Sequence, residues 1–434
     1  MESEGEMNTL LSILGCVILA VSAMLSANAD DMRRSSDSIF PVTDYGAKGD
    51  GATDDTAAIQ KAITAAAKLG GVVALPAGKF LVRGSLNVPA GVTVRGVNER
   101  PLYIAPQVGT IILATGGRDD EQAPSLFELK SGAVEGLTIY YPEQKPTDIH
   151  PYPWTFHCAG GDDTIQDVTL INSYNGISTG PQPNVRHLIR NVFGTVLRRG
   201  IFVDSCSDIG RIENVQFHCH YWSDKAFGGE WNAVYKYMYE HLEAFIFGRT
   251  DWEYVFNTFV FPTQIGYRFI NTKSGACNGQ FSGIGSDASE YCVFVDEIQP
   301  MGLLITNGQF VSFNGPNPVE IVINEKCKGS VRLANCAFWG DAKHIAVLKG
   351  QSFVSFDNCF IWGWGKQDET AAAIDAQSGR LQVRGCSFVG DRPSVRIGPQ
   401  VKHAVAAENN GDHGVRIINE AGDRAVLRDN EPPS

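Results

Sequence analysis

Residues 333–340 read LANCAFWG, residues 356–363 read FDNCFIWG and residues 383–390 read VRGCSFVG. The three phrases share one grammar: an apolar residue, a variable one, Asn or Gly, then Cys, an apolar core and a closing Gly. Working outward, related phrases recur upstream as VEGLTIYY, IQDVTLIN, IRNVFG, IENVQF, VFNTFVF, CNGQFSG and ITNGQFV. Aligned on the turn residue they place Gly136, Asp167, Asn191, Asn214, Asn257, Asn278, Asn307, Asn335, Asn358 and Gly385 in one register. The spacings fall between 21 and 31 residues, apart from one of 43 between Asn214 and Asn257. Short β-rich strands repeated at this period, punctuated by Asn or Gly, predict a solenoid of parallel strands, because one coil cannot bury its apolar face alone. Asparagines at equivalent turns are expected to bond along the stack. Cys336, Cys359 and Cys386, one position later, are expected to form a small buried ladder.

A second phrase alternates with the first: NGIST, RRGIFVDSC, LEAFIFGRTD, QIGYRFIN, YCVFVDE, VEIVIN and HIAVLKG. It predicts a further parallel sheet whose strands lie about 4.8 Å apart, so that outward side chains of neighbouring coils converge on one surface.

The composition agrees with a large β domain. The 434 residues are 43% hydrophobic and 19% charged, with 46 glycines for tight turns. The apolar run from Leu10 to Leu25, ending in Ala27-Asn28-Ala29, has the form of an export signal over residues 1–29, with a lipid anchor on Cys16 as its rival. The expected location is secreted or periplasmic, with no stable membrane insertion after cleavage. Losing that segment removes Glu2, Glu4 and Glu6 and no basic residue, taking the formal net charge from -12 to -9. An acidic chain argues against nucleic acid as a partner. Nine of the ten cysteines lie beyond the signal, and none shows the paired spacing of a zinc site, so neither a metal nor another cofactor is expected.

Residues 44–63, DYGAKGDGATDDTAAIQKAI, lead into a helix-like pattern. A phosphate loop needs a lysine and a hydroxyl after its last glycine; here two aspartates follow instead. Asp54, Asp55 and Thr56 read as helix-start residues, and Ile59, Ala62, Ile63 and Ala66 as an apolar face. The expected role is an amphipathic helix over the open end of the solenoid. With the following GGVVALPAGKFLVRGSLNVPAGVTVRGV, residues 39–97 resemble the N-terminal segment of the pectate-lyase-like superfamily, and more narrowly proteins related to polygalacturonases. That resemblance implies an all-β, single-stranded right-handed parallel β-helix over about residues 39–425, and an enzyme class that spans hydrolases, lyases and epimerases. Polygalacturonases carry Asn-Thr-Asp, Gly-Asp-Asp, Gly-His-Gly and Arg-Ile-Lys along their coils. Here Gly161-Asp162-Asp163 stands before IQDVTL and no Gly-His-Gly or Arg-Ile-Lys follows, so the family's catalytic residues do not carry over.

The long interval holds an aromatic-rich insertion at about 218–241, expected either as a loop over a sugar groove or as a helical flap packed on the coils. Around it the strand pattern brings carboxylates and guanidiniums onto adjacent coils. Glu243 is the first candidate catalytic carboxyl, then Asp204, Asp251 and Glu253. Arg198, Arg199, Arg249, Arg268, His218, His220, Trp222, Trp231 and Tyr267 are candidate substrate-binding residues. Two carboxyls beside guanidiniums suit glycoside hydrolysis, in which one protonates the leaving oxygen and the other activates water or attacks carbon. The leading expectation is therefore a hydrolase acting on a poly- or oligosaccharide. A lyase or epimerase acting on uronate glycan, in which arginine neutralises the sugar acid, and a non-catalytic glycan-binding protein are the alternatives.

Overall fold

A computed structural model describes residues 38–101, 108–223, 225–366 and 368–434. The expected export segment and Cys16 lie outside the described residues. Within them, no helix is long and apolar enough to cross a membrane.

The chain winds into a β-helix with three parallel sheets, each coil adding one strand to each. The first sheet begins with Ile39–Pro41 against Gly71–Ala74 and ends with Ala425–Arg428 against Val395–Ala407. The second carries the residues after the turn, for example Val192, Val215 and Thr258 in register on successive coils. The third carries the second sequence phrase: Ile201, Phe245, Tyr267, Val293 and Ile321 lie in register. These residues point inward and are fully buried. Their rings repeat along the stack at nearly the coil rise, Phe245 on Tyr267 at 4.9 Å and Phe247 on Phe269 at 5.3 Å.

The corner between the first and second sheets explains the asparagines. Residues 136, 167, 191, 214, 257, 283, 307, 335, 358 and 385 all have φ between 51° and 69°, the left-handed region that Gly and Asn tolerate best. Asn191 Nδ2 donates to Asp167 Oδ1 at 2.8 Å, Asn214 Nδ2 to Asn191 Oδ1 at 2.6 Å and Asn335 Nδ2 to Asn307 Oδ1 at 2.7 Å. One member of the expected register is corrected. Phe256 pairs with Ser282, so Gly283, not Asn278, follows Asn257 in the file. Asn278 instead holds the preceding turn, accepting the Trp252 amide at 3.0 Å and donating to Gln299 at 2.7 Å. The nine described cysteines are buried and unpaired, and the thiols of Cys336, Cys359 and Cys386 each meet a carbonyl of the coil before.

Helix α1 (Thr56–Ala66) buries Ile59, Ala62, Ile63 and Ala66 against the strands of the first coils. Asp55, expected to cap it, turns the other way: its carboxylate accepts the Lys48 and Gly49 amides at 2.7 and 3.0 Å and closes the glycine loop. Asp54 takes the Thr56 amide at 3.1 Å. The 43-residue interval is a single coil in which two short 3-10 turns and helix α2 (Trp231–His241) replace the corner between the strands Arg211–His218 and Glu243–Phe247. Glu230 caps α2 by accepting the Asn232 and Ala233 amides at 2.9 and 2.7 Å.

Candidate active site

The outer face of the third sheet is set by the same register. One residue after each inward position comes an outward file: Glu128, His157, Ser178, Phe202, Ile246, Arg268 and Phe294 on successive coils. Its middle forms a groove of about 550 Å³, lined by Trp154, Ser178, Phe202, Glu243, Ile246 and three arginines, Arg198, Arg199 and Arg268. Trp154 stacks on Phe202 at 6.3 Å, giving the floor an apolar patch.

Glu243 opens its strand at the edge of this groove and is mostly buried. Arg268 Nη1 donates to Glu243 Oε1 at 2.9 Å and Arg198 Nη1 lies 3.7 Å from the same oxygen. Its Oε2 has no hydrogen-bond donor among the described residues. Arg268 also reaches Asp296 Oδ2 at 3.2 Å, and Arg199 lies 3.7 Å from Glu121 Oε2. Arg198 is anchored from the other side by the His241 carbonyl at the end of α2, at 3.1 Å. The same helix brings Tyr237 next to Tyr174, beside Arg198. Burial, then neighbouring negative charge, raises Tyr174; burial, then Tyr174, raises Tyr237, so both keep their protons at neutral pH.

The other three candidate carboxyls lie elsewhere. Asp204 is buried in the turn after the third sheet, where its Oδ1 accepts the Arg249 amide at 2.8 Å and the Thr272 hydroxyl at 2.7 Å. Asp251 is clasped by both Arg249 Nη atoms at 2.8 and 2.6 Å and by Gln299 at 2.8 Å, which takes Arg249 out of the groove as well. Glu253 is fully buried, with Oε1 3.0 Å from His187 Nε2 and Oε2 accepting the Thr250 hydroxyl at 2.6 Å. Cys206 joins this cluster, whose possible metal-ligand atoms lie within 4.8 Å of one another. Both carboxylate oxygens are already engaged by protein groups, so the geometry is that of a buried ion pair. Asp162 and Asp163 also hold a turn: Asp162 pairs with Arg186 at 2.8 Å, and Asp163 accepts the Gly132 and Gly160 amides.

Four of the aromatic and histidine candidates are packing groups. Trp222 is buried with its Nε1 on the Phe227 carbonyl at 3.0 Å, and Tyr267 is in the core with its hydroxyl 2.8 Å from Thr258 Oγ1. His218 and His220 stack at 4.3 Å beneath α2, on the outer face of the second sheet, with Trp231 4.1 Å from His220. Burial lowers His218 to about 4 and also lowers His220, so the stack is neutral at neutral pH. Trp231 and Tyr235 pack there on Phe261, while Tyr237 turns towards Tyr174 and Arg198: the insertion is a helical flap packed on the coils. Among the candidate residues, the groove thus unites Glu243 with Arg198, Arg199 and Arg268. Sequence reasoning missed Glu121, Tyr174, Ser178, Phe202 and Asp296.

A family model described as "Rhamnogalacturonase A/epimerase, pectate lyase-like" matches residues 39–110. The A-module of mannuronan C-5 epimerase AlgE6 from Azotobacter vinelandii superposes over 91% of this chain and 100% of its own length, at 15% identity and a TM-score of 0.54. The chain folds as a right-handed parallel β-helix, and its N-terminal segment is pectate-lyase-like. An N-terminal fragment of bacteriophage phi29 gene product 12 shares this β-helix at a TM-score of 0.63 and 14% identity, over 92% of this chain and 74% of that one. In sequence, alginate lyase 7 of A. vinelandii is 40% identical over 107 residues, 23% of this chain and 12% of the lyase. Mannuronan C5-epimerase AlgE3 of the same organism is 65% identical over 46 residues, 10% of this chain and 2% of the epimerase. The β-helix here spans only a small part of these curated relatives. Its relatives include carbohydrate-modifying enzymes of the lyase and epimerase classes.

Proposed function

We propose that this protein is a carbohydrate-active enzyme that acts on an acidic polysaccharide, removing the proton next to a uronate carboxylate as a lyase or a C5-epimerase. The observation that carries this reading is the convergence of Arg198, Arg199 and Arg268 around Glu243 in an open groove with an apolar floor. Guanidiniums form paired hydrogen bonds to carboxylates, and held in place they stabilise the charge that moves onto a uronate carboxylate when the adjacent C–H is broken. In the proposed step Glu243 Oε2 takes the proton from C5, and its electron pair delocalises into the sugar carboxylate against the arginines. A protonated tyrosine of the Tyr174–Tyr237 pair then delivers a proton. If it goes to the glycosidic oxygen as the C4–O bond breaks, an unsaturated sugar results; if C5 is reprotonated from the opposite face, the product is the epimer.

The expected hydrolase is the weaker reading: of its four carboxyls, only Glu243 lines the groove, and the curated relatives named above are an epimerase and a lyase. The proposal keeps the apolar segment before Ala29 as an export signal, which N-terminal sequencing of the mature protein tests.

The deciding experiment incubates the purified protein with alginate and with pectate in D2O and follows three signals together. Unsaturated uronide absorbance reports elimination, deuterium at C5 without chain cleavage reports epimerisation, and new reducing ends alone report hydrolysis. Reducing ends without the other two signals overturn the proposal. Glu243→Gln is expected to remove turnover while leaving the far-UV circular dichroism spectrum of the β-helix unchanged.

A further inference from the structure

One acid–base pair on the groove's own sheet takes no part in that chemistry. Glu128 (in Phe127–Leu129) and His157 (in Trp154–Cys158) precede Ser178 in the outward file. Glu128 Oε2 lies 2.6 Å from His157 Nδ1, while Glu128 Oε1 accepts the Ser125 amide at 2.9 Å. On the other side of the ring, Nε2 is 2.9 Å from Gln182 Oε1, and the Gly180 carbonyl also faces the ring. Acceptors therefore stand at both nitrogens. With Gln182 Oε1 turned to the ring, the imidazolium, with two N–H donors, satisfies both acceptors. The Glu128 hydrogen bond acts the same way, raising the ring's affinity for its proton over the opposing effect of burial. The outer N–H of this cation is held by the side chain of an exposed glutamine, next to Gly180 and Pro181 on the groove rim.

We propose that His157 is a second carboxylate-binding station of the groove, so that the site takes an acidic glycan chain several units long instead of a single sugar or a disaccharide. The inference rests on the uronate reading above and adds chain length to it. His157 stands four coils before Arg268 in the same file, about 19 Å along the stack at about 4.8 Å per strand. Between the two cations lie Ser178, Phe202 and Ile246, an uncharged floor on which the body of a sugar chain can rest. Gln182 Oε1 occupies the place of a carboxylate oxygen. Replacing this neutral acceptor by a charged one strengthens the hydrogen bond, and the exposed glutamine is free to swing away. Glu128 serves as a positioning residue: it orients the ring and keeps it charged. It is the titratable group that faces the ring among the described residues.

The test is calorimetric titration of the full chain with mannuronate oligomers from dimer to octamer, with neutral cello-oligomers as controls. Affinity is expected to rise with length until the chain reaches His157. His157→Gln is expected to weaken octamer binding about tenfold and leave the dimer unchanged, the scale of one hydrogen bond to a charged group. Octamer affinity in the parent is expected to fall as pH rises and the ring loses its proton; Glu128→Gln moves that fall to lower pH, and His157→Gln abolishes it. A purely structural role for the pair would produce none of these length and pH dependences. If the oligomers bind but length and His157→Gln make no difference, the second station is refuted while the uronate groove stands. If no acidic oligomer binds the parent protein, the uronate reading itself fails and this inference falls with it.

Discussion

Removing the Glu253 carboxylate separates a structural from a catalytic role at a charge pair buried on both sides. His187, Gly210 and Glu253 occupy one inward position on three successive coils. The imidazole reaches the carboxylate across the gap left by the glycine, where a Cβ would lie 2.2 Å from His187 Cε1 and 2.4 Å from Glu253 Oε2. Burial alone lowers the His187 pKa, but the Glu253 charge and the hydrogen bond to Glu253, with Cys206 beside the ring, outweigh it and raise the group from 6.5 to about 10. Losing one partner of a buried pair costs about 3–5 kcal/mol. Because the folded value is raised, the stabilisation is complete below pH 6.5 and is lost as pH climbs through about 10. Glu253→Ala is therefore expected to destabilise its coils by about 3–5 kcal/mol at pH 6, with the deficit shrinking towards pH 10. A long solenoid does not unfold as one unit, so the readout is local. Hydrogen exchange of the Arg211 and Tyr254 amides, which donate to the His187 and Gly210 carbonyls at 2.9 and 3.0 Å, reports this corner directly. Replacing both partners by Leu is expected to recover most of the loss. Unchanged exchange in Glu253→Ala, or lost turnover with unchanged exchange, would refute the ion-pair account.

Three further expectations follow from the fold. Glu320 is fully buried near the Ser312 amide, yet neither carboxylate oxygen reaches hydrogen-bond geometry, and burial holds its pKa well above the usual carboxylate range. The parent therefore loses stability as pH rises above 4.5, by at most about 1.4 kcal/mol per pH unit, and Glu320→Gln should raise the thermal midpoint at neutral pH with a gain that vanishes near pH 4. Asn358→Gly is expected to be tolerated and Asn358→Ala to cost about 1–2 kcal/mol in urea unfolding, because Ala pays the left-handed strain with no polar side chain in return. Arg268→Met should raise the KM for a uronate polymer about tenfold or more, whereas Arg249→Met, confined to its pair with Asp251, should change unfolding by up to about 1 kcal/mol and leave KM alone.

How far the residues alone reach depends on which period is followed. The first phrase is legible because its corner demands a rare backbone conformation, and Asn, Asp or Gly recurs wherever the coil turns. Even so, the letter alone set Asn278 in the file; only strand pairing reveals that Gly283 takes the turn and Asn278 the hydrogen bonds of a different corner. The second phrase carried the site but no punctuation. Aligning NGIST, GIFV, AFIF and GYRF on their last inward residue puts Ser178, Phe202, Ile246 and Arg268 in one outward file, a signal present in the sequence but masked by the charged residues near the strand ends. Asp204, Asp251 and Glu253 show why those charges mislead: Asp204 satisfies a turning backbone amide while Asp251 and Glu253 pair with side chains beside it, so acid-rich corners imitate catalytic clusters. Tyr237 lies beyond any period, since it enters from the α2 insertion, and only the packed helix brings it to Tyr174. What distinguishes Glu243 from the corner acids is an outward edge position facing three guanidiniums, a property of register and not of composition.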